Sequence, residues 1–286
     1  MNSLKTVLLL GLMSGVLLVG GEAIGGRQGL EWGLVIAIGM NFFSYFFSDK
    51  LALMSYSAQP VTPEEKPEIY ARLQPIVGGL TERMGLPMPK LWLLPEESPN
   101  AFATGRDPQH ASVACTAGIL RLMNDRELEG VLAHELGHVL HRDILISSVA
   151  ATLASAITFL ARMAFWFGPR GEDEEERGSM WSGLLMMILA PVAAMLIQMA
   201  ISRTREFSAD EASAKYTGNP DELISALGKL EMGVERIPMD DASPATAHLF
   251  IHNPFRSGGL TRLFSTHPST EERIARLQAM RGGRIQ

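Results

Sequence analysis

The chain has 286 residues, 47% of them apolar and 20% charged, enough for one sizeable domain or two small ones. A net charge of −6 and an isoelectric point near 5.7 leave nucleic acid out as a partner, because the basic stripe it needs is missing. A single cysteine, Cys115, excludes an intramolecular disulfide and a cysteine-built metal cage.

Charge is unevenly spread along the chain. Thr6 to Gly21 is uncharged behind Lys5, and Trp32 to Ser48 is uncharged up to Asp49-Lys50. A bilayer span takes about 20 mostly apolar residues, about 17–25 with tilt. Residues 1–50 therefore read as a transmembrane hairpin. A cleaved signal peptide is the alternative for the first segment, and the second apolar segment close behind it favours an anchor.

Residues 51–143 read as the first part of a polar domain. Tyr70, Leu73, Ile76, Val77 and Leu80 fall at helical spacing, with a kink expected at Pro75. Lys90 to Pro95 suits a short strand. Asn100 to Pro108 ends in turn residues, and the run from His110 to Leu122 reads as strand, turn, then strand or helix start. Asn124 and Glu127 have the spacing of a capping box, which opens a helix over the following apolar-periodic residues.

Residues 144–201 read as a second transmembrane hairpin. Ile144 to Ala161 is uncharged and continues apolar past Arg162 to Gly168, and Met180 to Ile201 is uncharged. A buried helical hairpin in a soluble protein is the weaker reading, given this length without charge. The acidic connector Gly168 to Gly178 reads as solvated. Lys5, Lys50, Arg142, Arg203 and Arg205 flank spans on one side, against Arg27, Arg170 and Arg177 on the other, so the polar regions are expected in the cytoplasm.

Residues 202–286 form the second part of the polar domain. The pattern predicts helices up to Gly218, from Pro220 to about Arg236, and from Pro268-Ser269 to about Arg281, with a loop-rich run between Pro238 and Phe264. The expected fold class is mainly α, of α+β type: a four-span helical membrane protein with a polar domain in two parts.

The chemistry concentrates in the helix after Asn124, which carries HELGH. His134 and His138, four apart, share one helix face and can present imidazole nitrogens to one ion. A catalytic zinc takes three protein ligands and keeps a position for water. Glu135 is placed to take a proton from that water. Ile144 and the missing glycine exclude the histidine-extended form of the motif, so the third ligand is sought further along. Glu206 supplies it, and Asp210, one turn on, is expected to hold the other ring nitrogen of His134. One Zn2+ per chain is the expected cofactor. At about 1.5 Å per residue, the metal lies within roughly 10 Å of the apolar segment ends, which points to substrates at the bilayer surface.

HELGH, REFSADEAS, NAFATG and THPST, in this order and spacing, resemble the HtpX-type membrane zinc proteases, gluzincins related to the CAAX prenyl proteases. The resemblance implies a gluzincin-like zinc protease domain that uses His134, His138 and Glu206 as ligands and Glu135 as general base. It implies protein quality control and stress response at the bacterial inner membrane, with the lipid bilayer and misfolded or damaged membrane proteins as partners. It also implies that Asn100, Ala101, Phe102 and Ala103 form a substrate-binding edge strand. His267 matches a family position suited to stabilising an oxyanion; a helix-entry histidine is the equal alternative. Two other functions remain open: a specific CAAX-type processing protease, and a non-catalytic zinc-binding membrane scaffold. No role is assigned to His110, His141, His248 or His252, and no oligomeric state follows.

Overall fold

The computed structural model describes residues 2–150, 152–153, 203–237, 251 and 268–281. Most of the second apolar pair, the acidic connector and His267 lie outside them.

Helix α1 (Asn2–Ser55) is two helices broken at Gly26, whose φ of 57° and ψ of −138° are open to glycine. The halves fold back on each other. A Cβ on Gly21 would sit 2.3 Å from the Gly29 carbonyl oxygen, and one on Gly33 would sit 2.5 Å from that of Leu17, so only glycine permits this approach. Across the seam, Asn41 Nδ2 donates to Ser14 Oγ at 2.9 Å. The outer surface is apolar: Val7, Leu8, Val19, Trp32, Val35, Ile38 and Phe42 are all exposed. Gly26–Phe47 is long and apolar enough to cross a membrane, while Thr6–Glu22 is apolar but shorter.

Four strands follow: β1 (Gln59–Pro60), β2 (Lys90–Leu94), β3 (Ala101–Gly105) and β4 (Ala111–Thr116). Their spatial order is β1-β2-β4-β3, with β2 and β4 parallel and the outer pairs antiparallel. Strand alternation divides the side chains between two faces. Leu94, Phe102 and Ala114 pack against Ala52, Leu53 and Tyr56, at the end of α1. Leu91, Ala101, Ala103, Val113 and Cys115 face the main core.

That core is closed by helices. Helix α2 (Pro67–Met84) starts on a proline and stops at Gly85, which takes a left-handed φ of 66°. Pro75 lies inside it without ending it. After the short α3 (Ala117–Leu122), α4 (Asp125–Leu140) begins with the full capping box between Asn124 and Glu127. Glu127 also accepts from Ser225 Oγ and Lys229 Nζ, both at 2.7 Å, tying α4 to a later helix. The chain is helical again over 144–150. Ile146, Val149, Ala150 and Leu153 pack on Leu9 and Met13 of α1, so the third apolar segment leans on the first.

Three further helices complete the described residues: α5 (Arg203–Thr217), α6 (Pro220–Arg236) and α7 (Thr270–Ala279). Glycines on α4 let two of them come close. A Cβ on Gly137 would meet Ala209 Cα of α5 at 3.1 Å, and one on Gly130 would meet Leu223 N of α6 at 2.8 Å. Ser213 Oγ of α5 donates to the Gly130 carbonyl at 2.7 Å. The glycine of HELGH is thus the place where α5 approaches the histidine helix.

Candidate metal centre

One turn of α4 presents His134, Glu135 and His138, and the first turns of α5 present Glu206 and Asp210. The donor atoms of His134, His138 and Glu206 lie within 4.8 Å of one another. The two Nε2 atoms are 3.2 Å apart, and the Glu206 oxygens stand 3.7 Å from that of His134 and 3.6 Å from that of His138. His134 is buried, and the His138 side chain, 18% exposed, marks the open side.

Each imidazole is held from behind by a carboxylate. His134 Nδ1 lies 2.9 Å from Asp210 Oδ1, and His138 Nδ1 lies 3.2 Å from both Asp143 oxygens. With Nδ1 donating to a carboxylate, each Nε2 keeps a lone pair. With both rings neutral, two lone pairs and a carboxylate face one point, an arrangement that a cation relieves: a metal ion, or in its place the proton that the raised affinity of His138 holds there. Ligands on a tetrahedral zinc, bound at about 2.0–2.1 Å, stand roughly 3.3 Å apart. The observed separations suit such an ion, and the residues fit the group.

Asp143 was not identified from the sequence. The chain leaves α4 through Arg142, a non-glycine residue at φ 55°, and Asp143 N donates to the His138 carbonyl at 3.1 Å. That left-handed step folds the Asp143 carboxylate back behind His138, and no helical spacing announces it. Arg273 was missed as well. It is 2% exposed, donates from Nε to Asp210 Oδ2 at 2.9 Å and from Nη2 to Asp210 Oδ1 at 2.6 Å, and reaches the Ile251 carbonyl with Nη1 at 3.2 Å. A readable signal existed: Arg273 shares the inner stripe of α7 with buried Thr270 and Leu277, and a charge there demands a partner.

Burial and these partners set the proton affinities. Burial, with the nearby Arg273 charge, brings His134 down to about 4. Burial opposes the charge on His138 too, but Asp143 and Glu206 outweigh it and push the imidazole up to about 10. Burial, with the Glu206 charge, raises Glu135 to about 8, against the pull of His138 and of a hydrogen bond from Ala103. Below pH 10 His138 therefore holds a proton that an incoming ion must displace. Apparent metal affinity is expected to fall about tenfold for each unit of pH lowered through the neutral range. Zinc titrations buffered by a competing chelator at several pH values check this, and a flat profile would show that no proton leaves.

The sequence also pointed to Asn100 through Ala103. Strand β3 is an edge strand in the sheet order, yet all five of its residues are buried. Thr116 N donates to the Asn100 carbonyl at 2.9 Å, which sets the alternation: Phe102 and Thr104 turn their peptide groups to β4, while Ala101, Ala103 and Gly105 turn theirs outward. The outward N–H groups are taken. Ala101 N donates to Asn100 Oδ1 at 3.0 Å, Ala103 N to Glu135 Oε2 at 2.9 Å, and Gly105 N to Ser148 Oγ at 3.4 Å. Asn100 Oδ1 also accepts from Ile251 N at 3.2 Å.

The model of peptidase family M48 matches residues 67–281. The chain belongs to peptidase family M48. Among its relatives are a protease HtpX homolog of Desulfatibacillum aliphaticivorans, 53% identical over 98% of this chain and 90% of the relative, and one of Methylibium petroleiphilum, 51% identical over 98% of each. A third, of Paraburkholderia phytofirmans, is 50% identical over the whole of this chain and 99% of the relative. The crystal structure of S. mikatae Ste24p superposes with a TM-score of 0.52 at 17% identity, covering 96% of this chain and 65% of that one, a likeness of fold. As an HtpX-type member of M48 the protein is a metalloprotease, and the matched region contains every residue of the cluster.

Proposed function

We propose that this M48 protein is a membrane-integral zinc endopeptidase that cleaves misfolded or damaged membrane proteins next to the bilayer. The observation that carries the reading is the convergence of both Nε2 atoms and the Glu206 carboxylate, with Glu135 beside them and outside the ligand set. A structural zinc is normally closed by four protein ligands, and three donors among the described residues, with an adjacent carboxylate, favour an open, catalytic site over a scaffold.

When bound, zinc supplies Lewis-acid polarisation of the scissile carbonyl and brings the pKa of a neighbouring water to about 7. His134, His138 and Glu206 hold it, and Asp210 and Asp143 fix the two rings. Glu135 takes the proton from the attacking water and passes it to the leaving amine. Asn100 and the start of strand β3, Ala101 to Ala103, align an extended substrate along the site.

The membrane part of the proposal rests on the glycine-seamed hairpin of α1, with its exposed apolar surface, and on the apolar contacts it makes to residues 146–153. Two hairpins, four spans in all, would hold the cytoplasmic site at the bacterial inner membrane. The test uses the purified full-length protein in detergent or liposomes, with one unfolded substrate presented tethered to the bilayer and free. Chelation should stop cleavage, zinc should restore it, and the tethered form should be cut faster. Equal cutting of both forms would overturn the membrane preference, and a single product from every substrate would favour the CAAX-type processing reading.

A further inference from the structure

The two imidazoles of the cluster are not backed alike. Behind His134, the Asp210 carboxylate takes two hydrogen bonds from Arg273, so that ring, carboxylate and guanidinium form one closed line. Behind His138, the Asp143 carboxylate stands with both oxygens 3.2 Å from Nδ1, and among the described residues no second donor reaches it. Asp143 is buried too. A histidine that ligates a metal is neutral, so its N–H then gives Asp143 a hydrogen bond but no counter-charge. A buried carboxylate without a cation is costly.

A cation stands close by. Ser213 of α5 bonds Gly130 of α4, and Ala209 lies against Gly137. The two helices therefore run in opposite senses, and the first turn of α5 comes level with the end of α4 and the Asp143 that follows it. Arg205 sits on that turn, beside Glu206. Its side chain is half-buried, and its Nη1 is buried without a hydrogen-bond partner, a condition that is rare and calls for a reason. Burial lowers the proton affinity of Arg205 while Asp143 and then Glu206 raise it, which puts the guanidinium within the field of both carboxylates. Arg142 and Arg203, its neighbours in charge, are exposed. We propose that Arg205 is a positioning residue for His138: with the metal in place its guanidinium seats on the Asp143 carboxylate and fixes the ring through it, as Arg273 fixes His134 through Asp210. This rests on the proposed zinc site.

The test is a zinc titration of the full-length protein in detergent, stripped of metal and competed against a chelator. Arg205→Met should weaken zinc binding by about 10–100-fold, the usual cost of losing a partner behind a ligand. Loss of a positive charge beside a cation would by itself tighten binding, so an unchanged or raised affinity would overturn the proposal. Asp143→Asn should weaken binding as well, and the double variant should be no weaker than the weaker single one, because both act along one line. Losses that multiply would show Arg205 acting independently of Asp143, which sinks the idea. Arg205→Lys keeps the charge without the planar fork and should lose only about threefold, a loss that disappears again beside Asp143→Asn; this pair carries the test should Arg205→Met not fold. A parent protein that binds no zinc would overturn the zinc site and this inference together, whereas a zinc-binding parent with an unaffected Arg205→Met overturns this inference alone.

Discussion

Glu135→Gln is expected to lower the rate of peptide cleavage by about 10²–10⁴-fold while the purified protein keeps its metal. Glutamine preserves the shape of the side chain and still offers an oxygen to the Ala103 amide, which donates to Glu135 Oε2 at 2.9 Å. What it lacks is a site that can accept and return a proton. Among the described residues the cluster of metal-binding donors is His134, His138 and Glu206, and the substitution removes none of them. Paired measurements of kcat and of zinc per chain decide the matter. A variant that retains both zinc and more than a tenth of the rate would remove Glu135 from the proposed mechanism; one that loses zinc would make it a ligand.

The second large effect is expected at the far side of His134. Arg273→Met should destabilise the protein by about 3–5 kcal/mol, because it leaves a buried carboxylate without its counter-charge. Asp210 is 1% exposed and receives two hydrogen bonds from Arg273. Burial alone would raise its pKa, yet Arg273 and His134 hold the carboxyl below its usual range. A loss of that size lowers the unfolding midpoint by roughly 10 °C in a domain of this kind. Asp210→Asn in the same background should restore part of it, since the amide needs no cation. Thermal unfolding of the parent and the two variants, followed by near-ultraviolet circular dichroism, provides the check. A midpoint within about 2 °C of the parent for Arg273→Met would show that the pair contributes little.

The two residues also show what a linear sequence gives away. The capping box at Asn124 and the ring nitrogens at i and i+4 are local, fixed by helix geometry, and both are found as expected. The approach of Glu206 depends on another helix packing against Gly137, yet its fourfold spacing to Asp210 made it recognisable. Asp143 depends on one left-handed residue between it and the helix end, a conformation that arginine does not advertise. Arg273 stood out as a charge on a buried stripe, but its partner lies on a different helix. For β3 the strand was legible and its surroundings were not: burial of an edge strand is set by what folds over it. Pro75 lies inside α2 and does not end it.

The order of these parts along the chain has a consequence for biosynthesis. His134 and His138 emerge from the ribosome early, Glu206 and Asp210 follow only after residues 144–201, and Arg273, which clamps Asp210, comes later still. A nascent chain stopped before α7 has Asp143 and Asp210 for the histidines but lacks the arginine that clamps Asp210. The cluster around His134 is thus framed in full only once Arg273 has been added.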